Sequence, residues 1–200
     1  MYLSRFEIPW IQARNPYGFH QILWHLFPGE HLDNRTFLFR IEHYRPGVPL
    51  RGLLQSHQPP AQAERVTVLG CREFHPQPQP GQRLGFVLTA NPVKTIVDTE
   101  KATKPDKRSG KCRVPLIKEE QQREWLARKL EGVAEVEAAT VLPNQPLYFR
   151  KVNRSGKLVT VTYEGVLRVT NPESLVNLLE RGIGPAKAFG CGLMLVRRFA

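Results

Sequence analysis

Apolar positions recur along this chain with two periods, and the switch between them lays out its elements. Residues 2–8 alternate as a half-buried strand. Phe19, Ile22, Leu23 and Leu26 then fall at helical spacing. Asn15 is placed to cap that helix and Pro16 to occupy its first position, while Pro28-Gly29 closes it. Tyr17, His20, Trp24 and Phe27 run beside the apolar stripe as a second one, at offsets of three, four and three. Residues 36–43 and 50–56 return to a strand pattern across the turn Arg45-Pro46-Gly47. Residues 58–65 are polar and leave room only for a reduced helix, and 66–74 read as a strand. The order is βαββ(α)β, that of a ferredoxin-like unit.

Pro76, Pro78 and Pro80 alternate with glutamines and forbid a helix or a central strand, so this stretch is a stiff extended linker. The order then repeats, with strands at 83–90, 133–142, 147–152, 158–169 and 193–198. A helix lies over 118–131, and a second one opens at Asn171-Pro172 with the cap used at Asn15-Pro16. Residues 99–111 are a charged insertion containing proline and glycine. The expectation is an α+β chain of two tandem ferredoxin-like (βαββαβ) domains. Residues 1–76 would form the first and carry the helix with His20; 81–200 would form the second.

Between the last helix and the last strand lies Gly182-Ile183-Gly184-Pro185-Ala186-Lys187-Ala188-Phe189-Gly190-Cys191-Gly192. Its amides could cradle phosphate beside Lys187, with Gly184 and Gly190 permitting close approach. A structural turn explains the glycines equally well. The stretch is neither a Walker loop nor a dinucleotide fingerprint, because it enters a strand and lacks Gly-Lys-Ser/Thr.

Charge narrows the partner. Twenty-nine basic against 18 acidic residues give a net charge of +11, the signature of a polyanion binder and most often of nucleic acid. Three cysteines without a Cys-x-x-Cys spacing, and only three aspartates, argue against a disulfide framework, a zinc site or a two-metal nuclease. No apolar run reaches a membrane span and no secretory leader pattern opens the chain, which suits a reducing cytoplasm. The expectation is no metal, no small-molecule cofactor and no membrane.

A protein that cuts RNA without metal must align the 2′-OH with phosphorus, move protons and stabilise the phosphorane. His20 is the candidate proton-transfer group, with Tyr17 one turn before it; a boundary histidine capping an aromatic patch is the plainer alternative. Arg150, Lys151, Arg154 and Lys157 cluster between two strands, as a hairpin tip that grips an RNA stem or as a solvated loop. Lys111 and Arg113 form a third, weaker basic patch.

The stretch 182–193 resembles the glycine-rich signature of the CasE-type CRISPR repeat endoribonucleases. The likeness extends through residues 1–4, 20–21, 24–28, 90–95, 112–119, 155–157 and 164–167, in order along nearly the whole chain. It implies tandem ferredoxin-like folds and metal-independent cleavage of CRISPR repeat RNA at the 3′ base of its stem-loop. The ends would be a 5′-hydroxyl and a 2′,3′-cyclic phosphate or 3′-phosphate. The protein would stay on the hairpin product beside other Cascade subunits; a hairpin-binding subunit that does not cut is the alternative. The resemblance places the catalytic histidine on His20, its tyrosine on Tyr17 and the groove-binding element on the hairpin with Arg154 and Lys157. Some relatives add a lysine after the histidine helix. This chain has no lysine before Lys94, so the role is vacant or falls to Arg35 or another group.

Overall fold

Two four-stranded antiparallel sheets, built in the same order, organise the computed structural model of the chain, which describes residues 1–29, 36–97, 111–151 and 154–199. In the first half β1 (Tyr2–Ile8) lies between β3 (Leu50–Ser56) and β4 (Thr67–Glu73), with β2 (Phe37–His43) outside β3. In the second half β5 (Arg83–Ala90) lies between β11 (Val161–Val169) and β12 (Met194–Arg198), with β8 (Ala134–Pro143) outside β11. Both sheets therefore follow the strand order of a ferredoxin-like fold.

The sequence pattern accounts for each core. Phe6 and Ile8 point from β1 into a cluster with Phe39, Leu50 and Leu54. Phe19, Leu23 and Leu26, at helical spacing, close it from above. The second core joins Leu88, Tyr163 and Leu167 to Trp125, Leu126 and Leu130 from the longer helix, with Leu175 and Leu179 from the last one. The Tyr163 ring stacks on Trp125, and its hydroxyl donates to the Gln122 carbonyl at 2.9 Å. Burial raises the pKa of that phenol.

Among the described residues the α-helices are α1 (Phe19–Trp24), α2 (Glu119–Leu130) and α3 (Pro172–Arg181). Asn15 does not start an α-helix directly. The chain first makes a 3-10 turn over Pro16–Gly18 and then one and a half turns of α1. At Asn171 the expected cap forms, accepting from the Ser174 amide at 2.9 Å.

Three expectations need correction. Residues 58–65 carry no helix: Pro59 and Pro60 leave too few amides for one, and the Ala61 amide donates to the Leu26 carbonyl instead. The expected strand over 158–169 is two strands, because Leu158 pairs with Leu147 while Val161 pairs with Ala90 and Pro143. The result is a separate ribbon of β9 (Leu147–Lys151) and β10 (Arg154–Leu158), inserted between β8 and β11. A second, unexpected ribbon pairs β6 (Val93–Val97) with β7 (Lys111–Pro115) ahead of α2. The rest of the 99–111 insertion, and Arg35, lie outside the described residues.

The halves meet through specific contacts. Gln55 Nε2 donates to the Leu179 carbonyl at 2.8 Å in a buried setting. Gly190 sits with φ +83°, where a Cβ would press on Ile41 and Phe39 of β2. Cys191 is buried beside it, and desolvation pushes its thiol up to about 12.

Candidate catalytic site and nucleic-acid interface

The 3-10 turn and α1 bring Tyr17 and His20 together as the sequence spacing requires. Their rings meet edge to face, with centroids 5.8 Å apart, and both side chains are half-buried. A short helix fixed by Phe19 and Leu23 in the core holds this pair more rigidly than a loop would. His25, by contrast, is exposed at the end of α1.

Two phenylalanines complete the wall behind Tyr17. Phe149 of β9 lies nearly parallel to the Tyr17 ring at 6.3 Å, and Phe189 of the glycine-rich stretch tilts against it at 6.4 Å. Phe149 and Phe189 also touch each other, at 4.6 Å. Gly156, opposite Phe149 on β10, leaves the space that the Phe149 ring fills. Two segments remote in sequence thus converge on one tyrosine, and composition could not have signalled that.

Asn15 ties the same elements by hydrogen bonds. Its Oδ1 accepts from the Tyr17 amide at 3.2 Å and from the Arg150 amide at 3.2 Å, and its Nδ2 donates to the Arg150 carbonyl at 2.8 Å. The sequence marked Asn15 as a helix cap; its reach to residue 150 was not legible there.

Strand alternation sorts the four expected cations of the hairpin onto two faces. Lys151 shares the face of Phe149, and its Nζ lies 5.4 Å above the Tyr17 ring. Arg154 pairs with Lys151 in the ribbon register. Arg150 and Lys157 occupy the other face with Tyr148, an exposed ring that the Lys157 ammonium overlies at 5.8 Å. Arg14, Asn15, Arg150, Ser155 and Lys157 border an open cleft of about 600 Å³ along the ribbon. Arg14 is a cation that the sequence reading had not singled out.

The other expected site residues have partners of their own. Lys187 Nζ donates to the Arg181 carbonyl, at the C-terminal end of α3, where the helix dipole favours a cation. Gly184 packs against Trp125 and Gly190 against β2, so internal packing explains both glycines. Arg113 is exposed on β7, in the β6–β7 ribbon; the Lys111 side chain lies outside the described residues. Among the described residues no group of three His, Cys, Asp or Glu side chains gathers closely enough to hold a metal ion.

The arrangement offers an imidazole, a phenol and an ammonium within one wall, beside a cationic ribbon. That set can bind a phosphodiester, orient a hydroxyl and transfer a proton. Comparison with known proteins bears on the family. A family model described as CRISPR associated protein matches residues 1–198. The chain is 43% identical over 194 residues to "CRISPR system Cascade subunit CasE" of Escherichia coli K12, covering 97% of this chain and 98% of that one. The crystal structure of the CRISPR-associated protein Cas6e from Escherichia coli K-12 superposes with a TM-score of 0.87 at 41% identity, over 100% of both chains. A structure of CRISPR endoribonuclease Cse3 bound to 19 nt RNA superposes with a TM-score of 0.81 at 28% identity, over 98% of this chain and 100% of that one.

Proposed function

The chain belongs to the CRISPR-associated protein family, in its CasE type, and from that premise we propose that it is an endoribonuclease that cuts CRISPR repeat RNA and remains on the hairpin product as a Cascade subunit. The observation that carries this reading is the Tyr17–His20 pair, held on a core-packed turn under a cationic β-ribbon. Cse3, the relative solved with RNA, is named an endoribonuclease, and CasE is named a Cascade subunit. No helix among the described residues is long and apolar enough to cross a membrane. The working place is the cytoplasm, and the functional division runs at the proline linker, 1–76 against 81–200.

In the reaction the 2′-oxygen forms a bond to phosphorus while the P–O5′ bond breaks. The 2′-OH loses a proton and the departing 5′-oxygen gains one, leaving a 2′,3′-cyclic phosphate and a 5′-hydroxyl. His20 acts as the general acid toward the 5′-oxygen. Tyr17 places the 2′-OH or the phosphate. Lys151, over the Tyr17 ring, fills the cationic role for which the first half of the chain offers no lysine, stabilising charge on the phosphorane. Arg150, Arg154 and Lys157 hold the stem, with Arg14 beside Arg150 and Lys157 on the cleft.

His20→Ala tests this assignment. Single-turnover cleavage of a labelled repeat stem-loop is expected to fall by about a hundredfold or more while affinity for the stem-loop stays near wild type. His25→Ala should cut normally. Wild-type cleavage by His20→Ala, or a loss explained by failure to bind, rejects His20 as the proton donor. Tight binding by the wild-type chain without any cutting would instead mark a hairpin-binding subunit.

A further inference from the structure

The three hydrogen bonds of Asn15 do more than cap a turn. A helix cap needs one acceptor, and Asn15 Oδ1 supplies it to the Tyr17 amide. The remaining two bonds, one to the same Oδ1 and one from Nδ2, go to a different segment. Asn15 meets both polar groups of the Arg150 peptide, accepting from its N–H and donating to its C=O. In the antiparallel ribbon Arg150 lies opposite Ser155. Alternate residues of an antiparallel pair turn their N–H and C=O away from the partner strand, and at Arg150 those outward groups meet Asn15. The side-chain amide thus acts as a single rung of sheet on the free edge of the ribbon.

That rung joins the two parts the reaction has to align. On one side are the turn with Tyr17 and the helix α1 that carries His20; on the other is the ribbon whose cations grip RNA. The aromatic contacts between them, Tyr17 with Phe149 and Phe189, are apolar and permit sliding. The bidentate amide pairing fixes register and distance at once. We propose that Asn15 is a positioning residue that locks the RNA-holding hairpin to the catalytic turn. The stem gripped by Arg150 and Lys157 then delivers its scissile phosphate to Tyr17 and His20. This rests on the endoribonuclease reading above.

Two substitutions separate locking from capping. Asn15→Ser keeps a good helix cap but is too short to reach Arg150. Asn15→Asp keeps the acceptor, loses the donor and sets a carboxylate oxygen against the Arg150 carbonyl. Both are measured for melting, stem-loop affinity and single-turnover cleavage at saturating protein, with amide exchange at Arg150 as an independent readout for Asn15→Ser. Melting and affinity should stay near wild type. Cleavage should slow by about a hundredfold, the order expected when reacting groups lose their alignment by about an ångström. The Arg150 amide should exchange faster in Asn15→Ser. Wild-type cleavage by both variants, unchanged exchange at Arg150, or a cleavage loss matched by lost binding or lost melting temperature overturns the proposal. A wild-type chain that does not cut repeat RNA brings down the endoribonuclease reading itself, a result separable from these because it appears before any variant is made.

Discussion

Tyr17 is the side chain on which the turn, the hairpin and the glycine-rich stretch converge. Its ring and its hydroxyl have separable duties. Tyr17→Phe keeps the contacts with Phe149 and Phe189, so its melting and RNA affinity should match wild type while single-turnover cleavage slows; equal rates would leave the hydroxyl without a role. Lys151→Ala should slow cleavage more than it weakens binding, because its ammonium lies over Tyr17 on the inner face of the ribbon. The reverse ratio would make it one more stem contact. Tyr17 and His20 were legible in the sequence because three residues of helical spacing suffice to juxtapose them. Phe149 and Phe189 were not, since each reaches Tyr17 only through tertiary packing. A similar limit applied to Asn15, whose local role as a cap concealed a contact 135 residues away.

The β9–β10 ribbon turns a run of cations into two functional faces. Sequence reading placed Arg154 and Lys157 in a loop between strands; they belong to the second strand, and the pairing of Lys157 with Tyr148 fixes where each points. Reading that register beforehand would have required knowing that Leu158 pairs with Leu147 and not with the main sheet. Lys157→Ala should weaken stem-loop binding and lower the slope of log affinity against log salt by roughly one, as expected for one lost phosphate contact. An unchanged slope would remove Lys157 from the interface. Of the two readings the sequence left open for the glycine-rich stretch, the packing of its glycines fits a structural turn. Gly182 and Gly190 meet β2 of the first half, Gly184 packs on Trp125 within the second, and the stretch reaches Tyr17 through Phe189. At Gly190, with φ +83° and β2 close by, Gly190→Val should cost about 2 kcal/mol or more from left-handed strain and overpacking. Ala188→Val serves as the control; equal melting of the two variants would show that glycine is not needed there.

Two sheets of the same strand order, joined by a proline linker, give the whole molecule its logic. In the proposed reaction the first half supplies Tyr17 and His20 and the second the cationic ribbon, and the joint between them carries Asn15, Gln55 and Gly190. Duplication of element order was readable from the period switches. The missing helix at 58–65 and the two inserted ribbons were not, because they depart from the repeat that made the rest legible. A net charge of +11 directs the molecule to a polyanion, and the arrangement at Tyr17 and His20 suits attack by the RNA's own 2′-hydroxyl. The most direct test is incubation of the purified protein with a labelled cognate repeat in excess EDTA, with a matched substrate carrying a 2′-deoxy sugar before the scissile phosphate and analysis of the product ends. The account predicts a single cut at the 3′ base of the stem, a 5′-hydroxyl on one product and a cyclic phosphate or 3′-phosphate on the other, and a 2′-deoxy substrate that binds but stays whole. Activity lost in EDTA and restored by magnesium, or cleavage of the 2′-deoxy substrate, would contradict it.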